Sequence, residues 1–426
     1  MKALRFFIIT AFLMLLSAPA IAQSKEFNAL RQDLQRLNDE YKKAYDAKDY
    51  TTTIAKLNET ERMIEKYQSE NKESLENNNK EMAFMLKYAL NNTYYNLACS
   101  YSLSGKSKLA VDAFAKAVAV GYNDYRHVLV DKDLDNIRPD KKFRSLLNSI
   151  KKYDKLEILK AAAPYQRGRA DTLPTFTYAQ ADNRSLQAVK EYFNLDSVAG
   201  HGDEISRMLN VLHFVHNEVS HDGGFNPFCE KDAIDMYNYA KVNKRGINCR
   251  CLAIMLSEMY LALGMPARYI TCLPADPNDN DCHVIVSVWS RDKGKWLWMD
   301  PTFDAYVQDD KGNYLSIQEV RERLIKGLPL VLNEDANWNH KSKQSKEGYL
   351  ESYMAKNLYW LECPVNSTFN VESPYRATGS EYVDLVPSGF TSRAVYQRYR
   401  TSDDAYFWQA PKVGGRTPRA AQRIAA

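Results

Sequence analysis

The chain has 426 residues, of which 45% are hydrophobic and 12% aromatic, and it carries 57 Lys and Arg against 53 Asp and Glu. This length and composition suffice for two or three domains with sizeable cores. The near balance of charge, +4 overall, argues against a protein whose partner is nucleic acid.

The first 22 residues have the pattern of a secretory signal peptide. Two cations precede an apolar stretch from Phe6 to Leu16, and residues 20–22 (AIA) have the small-residue form of a cleavage site. This stretch is shorter than the ~20 apolar residues of a transmembrane helix, and no other run approaches that length. We expect cleavage near Ala22, a periplasmic or secreted mature protein, and no membrane span.

Residues 23–160 are predicted to form an all-α domain. Apolar residues recur at three- and four-residue steps between Phe27 and Tyr45, which is typical of the buried face of a helix. Residues 94–118 (YYNLACSYSLSGKSKLAVDAFAKAV) resemble a tetratricopeptide repeat, in which small and large residues let paired helices nest, and residues 44–64 form a weaker copy. The polar stretch 69–81 between them is predicted as a loop or helix end.

Two such repeats are fewer than a stable solenoid usually needs, so we expect a small helical domain rather than a long superhelix. Two roles remain open for it. It could serve as a cap packed on its neighbour, or as a surface that docks a protein partner, since repeats of this kind commonly serve interaction.

A second domain is predicted after a linker at residues 161–180. Residues 204–220 have the periodicity of an amphipathic helix, and the irregular stretch HDGGFNPFCEKD follows them. A further helix is predicted to begin at Cys249 and to stop at Gly264 and Pro266. Its apolar residues occupy nearly every turn, so this helix should be buried.

Two cysteines lie at the start of that helix. The free N–H groups and positive dipole end of a helix N-terminus favour a thiolate over a thiol. Cys249 and Cys251 lie about 200° apart around the helix axis, so only one of them can face a given active site. Each could also be an ordinary small hydrophobic residue of a buried helix.

The residues that such a thiol would need follow in the chain. Residues 281–303 are predicted to form two β-strands joined by a turn at residues 291–294. This hairpin would place His283 roughly opposite Asp300, and a direct cross-strand pair has about 4.5–5.5 Å between Cβ atoms. Alone, His283 could be a hydrogen-bonded sheet residue, and Asp300 could shape the turn before Pro301. Together with a cysteine they supply a nucleophile, a base and a group that orients the base.

These residues resemble the transglutaminase-like superfamily of papain-type cysteine enzymes. In that pattern a small residue follows the nucleophile by four positions and a helix glycine follows it by fifteen, as Ala253 and Gly264 follow Cys249. The family histidine opens a later strand, and its aspartate lies in a Trp-x-x-x-Asp-Pro-Thr context, which matches His283 and Asp300. The resemblance covers residues 200–305. It implies an α+β fold, with a buried cysteine helix on an antiparallel sheet or barrel, in a catalytic domain at residues 181–340.

The resemblance also implies a reaction. Cys249 would attack an amide carbonyl, His283 would move the proton, Asp300 would orient the ring, and the Cys249 backbone N–H would stabilise the oxyanion. A second oxyanion donor could be His216 or Asn217, although either could be an ordinary helix residue. We expect an exported cysteine enzyme that hydrolyses peptide or isopeptide bonds of a peptide or protein substrate. The alternatives are an amine-accepting crosslinker and a non-catalytic scaffold or protein-binding module.

Other features are less specific. The sequence has no phosphate-binding glycine motif and no cluster with metal-ligand spacing, so we expect no cofactor and no metal. The number of cysteines, seven, is odd; Cys272 and Cys282 could form a disulfide or remain reduced. Residues 341–426 contain short β-like runs and a basic C-terminal stretch, and they are predicted to form a β-rich extension with a frayed tail.

Overall fold

The computed structural model describes residues 25–168, 172–374, 380–391 and 398–412. It divides into two compact units, Met1–Glu157 and Ile158–Ala426, and each has its own hydrophobic core. The predicted signal peptide at residues 1–22 and the end of the predicted basic tail, residues 413–426, lie outside the described residues. No helix in the described ranges is long and apolar enough to cross a membrane.

The described part of the first unit is helical. Its α-helices are α1 (Lys25–Asp46), α2 (Tyr50–Glu70), α3 (Lys72–Asn77), α4 (Lys80–Leu103), α5 (Ser107–Ala119), α6 (Tyr125–Val130) and α7 (Lys141–Ile150), with 3-10 turns at Lys132–Ile137 and Lys151–Tyr153. A short helix, α8 (Lys155–Lys160), spans the division between the units. The helix predicted from the stripe between Phe27 and Tyr45 is confirmed as α1. The polar stretch predicted as a loop or helix end contains the short helix α3.

The predicted repeat at residues 94–118 corresponds to the C-terminal part of α4 and all but the last residue of α5. Ala98 and Ala110 are fully buried between these helices, and such small side chains allow two helix backbones to approach closely. Phe114 fills the space beside them, and its ring centroid lies 4.9 Å from that of Phe143 in α7. The prediction of a helical N-terminal region is therefore confirmed.

The second unit combines helices with a sheet. Its helices are α9 (Arg184–Tyr192), α10 (Leu195–Ala199), α11 (Glu204–Glu218), α12 (Ala233–Asn243), α13 (Cys249–Ala262), α14 (Ile317–Lys326), a π-helical segment (Glu347–Met354) that continues into α15 (Ala355–Asn357), and α16 (Asp404–Phe407). Its strands are β1 (Thr177–Tyr178), β2 (Ala267–Leu273), β3 (His283–Ser290), β4 (Lys295–Met299), β5 (Val307–Gln308), β6 (Val331–Leu332), β7 (Asn337–Trp338), β8 (Ser342–Lys343), β9 (Trp360–Pro364), β10 (Asn366–Ser367), β11 (Tyr382–Leu385) and β12 (Arg398–Thr401).

A six-stranded sheet carries the core of this unit. Its strand order is β12-β11-β9-β2-β3-β4, and adjacent strands are antiparallel except for β11 and β12, which are parallel. The helix α13 packs on β2 and β3. The predicted α+β fold with a cysteine helix on a sheet is confirmed, and the sheet departs from a purely antiparallel one at its β12 edge.

Residues predicted as a linker and as a C-terminal extension contribute to this same unit. Strand β9 pairs with β2, so that Thr271 lies opposite Glu362, and β11 and β12 extend the sheet beyond β9. Strand β1, within the predicted linker at 161–180, pairs with β10. Residues after 340 therefore contribute strands to the six-stranded sheet of the second unit, because β9, β11 and β12 belong to it.

The helix α13 is buried on nearly all sides, as its sequence predicts. Twelve of its fourteen residues, from Cys251 to Ala262, are buried. The side chain of Asn248 caps its start by accepting a hydrogen bond from the backbone N–H of Cys251 at 3.0 Å. Gly264, with φ of 75°, turns the chain away at its end, a conformation that favours glycine. The cap places Cys249 in the first turn, where the helix N–H groups are free.

Candidate active site

His283 and Asp300 meet at one end of the β3–β4 hairpin. The sequence predicts that they lie roughly opposite one another. The observed register places Val286 opposite Met299, and continuing it by one residue places Asp300 opposite Ile285. His283 points to the same face as Ile285 and is therefore a diagonal neighbour of Asp300. The two side chains still make contact, with 2.7 Å between His283 Nε2 and Asp300 Oδ2.

The Asp300 carboxylate is fully buried and held by several donors. The hydroxyl of Tyr349 donates to Oδ2 at 2.5 Å, and the backbone N–H of Thr302 donates to Oδ1 at 2.9 Å. The Asp300 backbone exchanges hydrogen bonds with Ala305. These contacts fix the carboxylate so that it can orient the His283 ring.

The His283 ring lies between Phe303 and Tyr353, with centroid distances of 5.4 and 5.3 Å. Since Nε2 contacts Asp300, Nδ1 is the nitrogen available to the Cys249 thiol, with which the ring is hydrogen bonded. Burial favours the neutral ring, but the charge and hydrogen bond of Asp300 outweigh it and raise the pKa of His283 to about 10. The ring is therefore an imidazolium at neutral pH.

Cys249 is partly buried, and its pKa is lowered, whereas that of His283 is raised. Burial opposes ionisation of its thiol, but hydrogen bonds from the side chains of His221 and His283, the charge of His283 and the backbone N–H of Val284 lower its pKa to about 6. The ordinary value is 9.0. Cys249 and His283 thus form a thiolate–imidazolium pair at neutral pH, which is the reactive state of a nucleophilic cysteine.

The neighbouring Cys251 lies in a different environment. Its side chain is 2% exposed, and its sulfur lies 3.8 Å from Oδ1 of Asn226. Burial raises the pKa of this thiol to about 12. Cys251 therefore remains a protonated thiol at neutral pH and is not a nucleophile.

Cys272 and Cys282 are free thiols in the structure. Cys272 lies on β2 directly opposite His283, and Cys282 is the residue before it. Burial raises the pKa of both thiols. In this state both residues flank His283 as packing side chains.

Neither of the two predicted oxyanion donors is among the hydrogen-bond partners of the Cys249 thiol, which are His221, His283 and Val284. His216, on the inner face of α11, is buried, and its nitrogens lie 3.1 Å from the carbonyl oxygen of Pro301 and 3.1 Å from Oδ1 of Asn337. Asn217 is exposed. Both nitrogens of His216 are thus occupied by other partners, because the helix directs this residue towards the Pro301 segment.

A second histidine, His221, contacts Cys249 in addition to His283, and sequence reasoning missed it. It lies beyond the end of α11, where its backbone forms a parallel bridge with Ile247. Gly246 permits this bridge, since a Cβ there would lie 2.6 Å from the carbonyl oxygen of Ser220. A histidine in the irregular stretch after α11 was visible in the sequence, but nothing local distinguished it from His216.

Two further residues of the site come from beyond the hairpin. Trp338 in β7 donates its indole N–H to Nδ1 of His221 at 3.0 Å, and Tyr349 in the π-helical segment donates to Asp300. Both lie in segments whose sequence carries no motif. Only the tertiary fold brings them to His221 and Asp300.

Residues 192–301 match the family model of the transglutaminase-like superfamily. This range contains Cys249, His221, His283 and Asp300, whereas Trp338 and Tyr349 lie outside it. The second unit of the chain therefore contains a transglutaminase-like domain.

A crystal structure described as a "putative cysteine protease" from Cytophaga hutchinsonii is similar, with 23% identity and a TM-score of 0.22 over 30% of this chain and 40% of that chain. The chain thus spans less than half of that protein. No curated protein matches the chain.

Proposed function

We propose that the protein is an exported cysteine amidase that hydrolyses peptide or isopeptide bonds through a thioester on Cys249. The observation that carries this proposal is the continuous contact of Cys249, His283 and Asp300, with a thiol pKa of about 6 beside an imidazolium. A structural cysteine needs neither partner. Export rests on the signal-peptide pattern of the first 22 residues.

The acylation step follows from this pair. The Cys249 thiolate attacks the amide carbonyl carbon, and the charge passes to the carbonyl oxygen. The free backbone N–H of Cys249 at the start of α13 is one donor for that oxyanion. The C–N bond then breaks, and the proton on Nδ1 of His283 moves to the departing nitrogen. The products of this step are a free amine, a thioester and a neutral His283 held by Asp300.

Deacylation reverses the roles of these groups. Neutral His283 takes a proton from water, and the resulting hydroxide attacks the thioester carbonyl. The C–S bond breaks, which returns the thiolate and the imidazolium and releases a carboxylic acid. A primary amine in place of water would give a new amide, which is the crosslinking alternative. Incorporation of a labelled primary amine into an acceptor peptide separates the two outcomes.

The experiment that tests the proposal compares Cys249→Ala with Cys251→Ala. Peptide products formed from an envelope protein extract are profiled by mass spectrometry for each variant and for the parent. We expect new carboxyl termini with the parent and with Cys251→Ala, and none with Cys249→Ala. Equal product formation by all three proteins would contradict the proposal.

The competing scaffold function is tested by chemical labelling. A non-catalytic protein has no need for a selectively ionised thiol, so iodoacetamide at pH 7 should not favour Cys249 over other accessible thiols. We expect instead that Cys249 is labelled first, as measured by peptide mass spectrometry. Cys229, which is also partly exposed and whose pKa is raised by burial, is the internal control.

A further inference from the structure

We propose that His221 is a second catalytic histidine, which donates its Nε2 hydrogen to the oxyanion of the tetrahedral intermediate, and that Trp338 holds it in the required tautomer. This inference rests on the proposed amide hydrolysis at Cys249. It assigns the second oxyanion donor to a residue outside α11, and it adds a positioning residue from beyond the matched family range.

The tautomer follows from hydrogen-bond chemistry. An indole N–H can only donate, and the indole nitrogen of Trp338 lies 3.0 Å from Nδ1 of His221. Nδ1 must therefore accept and carry no proton. A neutral imidazole then has its hydrogen on Nε2, the nitrogen that remains for the Cys249 sulfur, with which His221 is hydrogen bonded. Trp338 thus makes His221 a donor towards the thiolate.

The backbone of His221 is fixed from two sides. Its N–H donates to Oδ1 of Asn339 at 2.7 Å, and its carbonyl oxygen accepts from Nδ2 of Asn339 at 2.9 Å. On the other side, the backbone of its neighbours Ser220 and Asp222 is hydrogen bonded to Ile247, two residues before Cys249. The ring is therefore positioned by the same segment that leads into the nucleophile.

The turn that carries Trp338 is also well defined. Asn339 and His340 have φ values of 51° and 56°, and the N–H of Lys341 donates to the carbonyl oxygen of Trp338 at 2.9 Å. This is a turn with two left-handed central residues, which suits a tight β-hairpin. The hairpin β7–β8 presents the indole and the Asn339 amide to His221 together.

His221 and His283 have different tasks in this arrangement. His283 carries a mobile proton, which it must deliver to the departing nitrogen. His221 is a neutral donor whose hydrogen stays in place. When the S–C bond forms, the negative charge leaves the sulfur for the oxygen on the adjacent carbon, and the N–H that faced the thiolate is a neighbour of that oxygen. Loss of one such donor typically lowers the rate by about 10²–10³-fold.

The test uses two reagents that differ in one respect. Acylation of Cys249 by p-nitrophenyl acetate passes through a tetrahedral oxyanion, whereas alkylation by iodoacetamide does not. Both rates are measured at pH 9, where the Cys249 thiolate is formed in the parent. For His221→Ala we expect acylation to fall about 10²-fold or more, while alkylation changes less than tenfold. His221→Gln, which keeps an N–H donor, should recover part of the loss.

The role of Trp338 is tested through the tautomer. In the parent, 15N NMR of histidine-labelled protein should show His221 protonated on Nε2 alone. Trp338→Phe keeps an aromatic ring without the donor, so we expect a mixture of tautomers and a several-fold loss of acylation. In the His221→Gln background Trp338→Phe should have no further effect. His201→Gln, at an exposed position of the same unit, is the control for the histidine variants.

Three results would overturn the inference: acylation by His221→Ala at the parent rate, an unchanged tautomer in Trp338→Phe, or equal losses of acylation and alkylation in both variants. These results differ from failure of the proposed function. If the parent were not acylated, or Cys249→Ala released p-nitrophenol equally fast, the amidase itself would be excluded. If acylation requires Cys249 but not His221, only the present inference fails.

Discussion

Ionisation of two residues sets the pH dependence of the site. The thiolate of Cys249 exists above a pKa of about 6, and the imidazolium of His283 exists below a pKa of about 10. The pair is therefore present between these values. We expect the alkylation rate of Cys249 to rise through pH 6, and amide hydrolysis to rise near pH 6 and fall near pH 10.

This first prediction is checked by timed iodoacetamide labelling and mass spectrometry of the Cys249 peptide. In urea-denatured protein the midpoint should return towards the ordinary thiol value of 9.0, because the histidine contacts are lost. A midpoint near 9 in the folded protein would contradict the assigned pair.

The charge of Asp300 supports the pair through His283. In Asp300→Asn the amide cannot stabilise the imidazolium, so the pKa of His283 should fall and that of Cys249 should rise. We expect hydrolysis to drop by at least about 10²-fold and alkylation at pH 7 to slow. The control is Asp304→Asn, since that carboxylate contacts His213 at 2.7 Å instead. Equal effects of both substitutions would argue against a specific role of Asp300.

At the scale of elements, the site depends on how closely the segment after α11 approaches the start of α13. Gly246 lies at this contact, where an added Cβ would be 2.6 Å from the Ser220 oxygen and 2.9 Å from the carbonyl carbon of His221. Both are backbone atoms, so the two segments must separate to admit a methyl group. His221 would then move away from Cys249.

Gly246→Ala should therefore destabilise the second unit by about 1–3 kcal/mol and shift the alkylation midpoint of Cys249 upwards. Urea unfolding and labelling measure the two effects. Gly224→Ala is a matched substitution, because its Cβ would meet no atom closer than 3.8 Å. If Gly224→Ala raised the midpoint as much, close approach at Gly246 would not be the cause.

At the scale of the whole molecule, two separate cores predict two separable unfolding transitions. Phe114 lies in the core of the helical unit, and Leu297 in that of the transglutaminase-like domain. All six tryptophans of the chain are at position 289 or later, within the second unit. Tryptophan fluorescence therefore reports only on that unit, whereas far-UV circular dichroism reports on both.

Phe114→Ala should lower the stability of the helical unit by about 3–5 kcal/mol. We expect part of the circular dichroism transition to move to a lower urea concentration, while the fluorescence transition and the labelling of Cys249 stay unchanged. Leu297→Ala should instead destabilise the second unit, so that the fluorescence transition moves to a lower urea concentration. A single transition followed equally by both signals in each variant would contradict the two-core description.

The sequence by itself determined the features that depend on local pattern. Periodicity is enough to define α1, α11 and the buried helix α13, because the spacing of apolar residues shows whether one face or every face of a helix is buried. The turn at 291–294 likewise defined the β3–β4 hairpin. Motif spacing singled out Cys249 over Cys251, and the structure gives the physical difference as opposite shifts of their thiol pKa values.

The tertiary structure alone decided what depends on distant segments. The turn at 291–294 pairs Ser290 with Lys295 and so places Ile285, not His283, across from Asp300. The contact between His283 and Asp300 is a diagonal one, which only the folded side chains decide. His216 and His221 look alike in sequence, and only the bridge at Ile247 brings the latter to the thiol. Trp338 lies 117 residues from His221, and no local pattern encodes a contact that the fold creates at that separation.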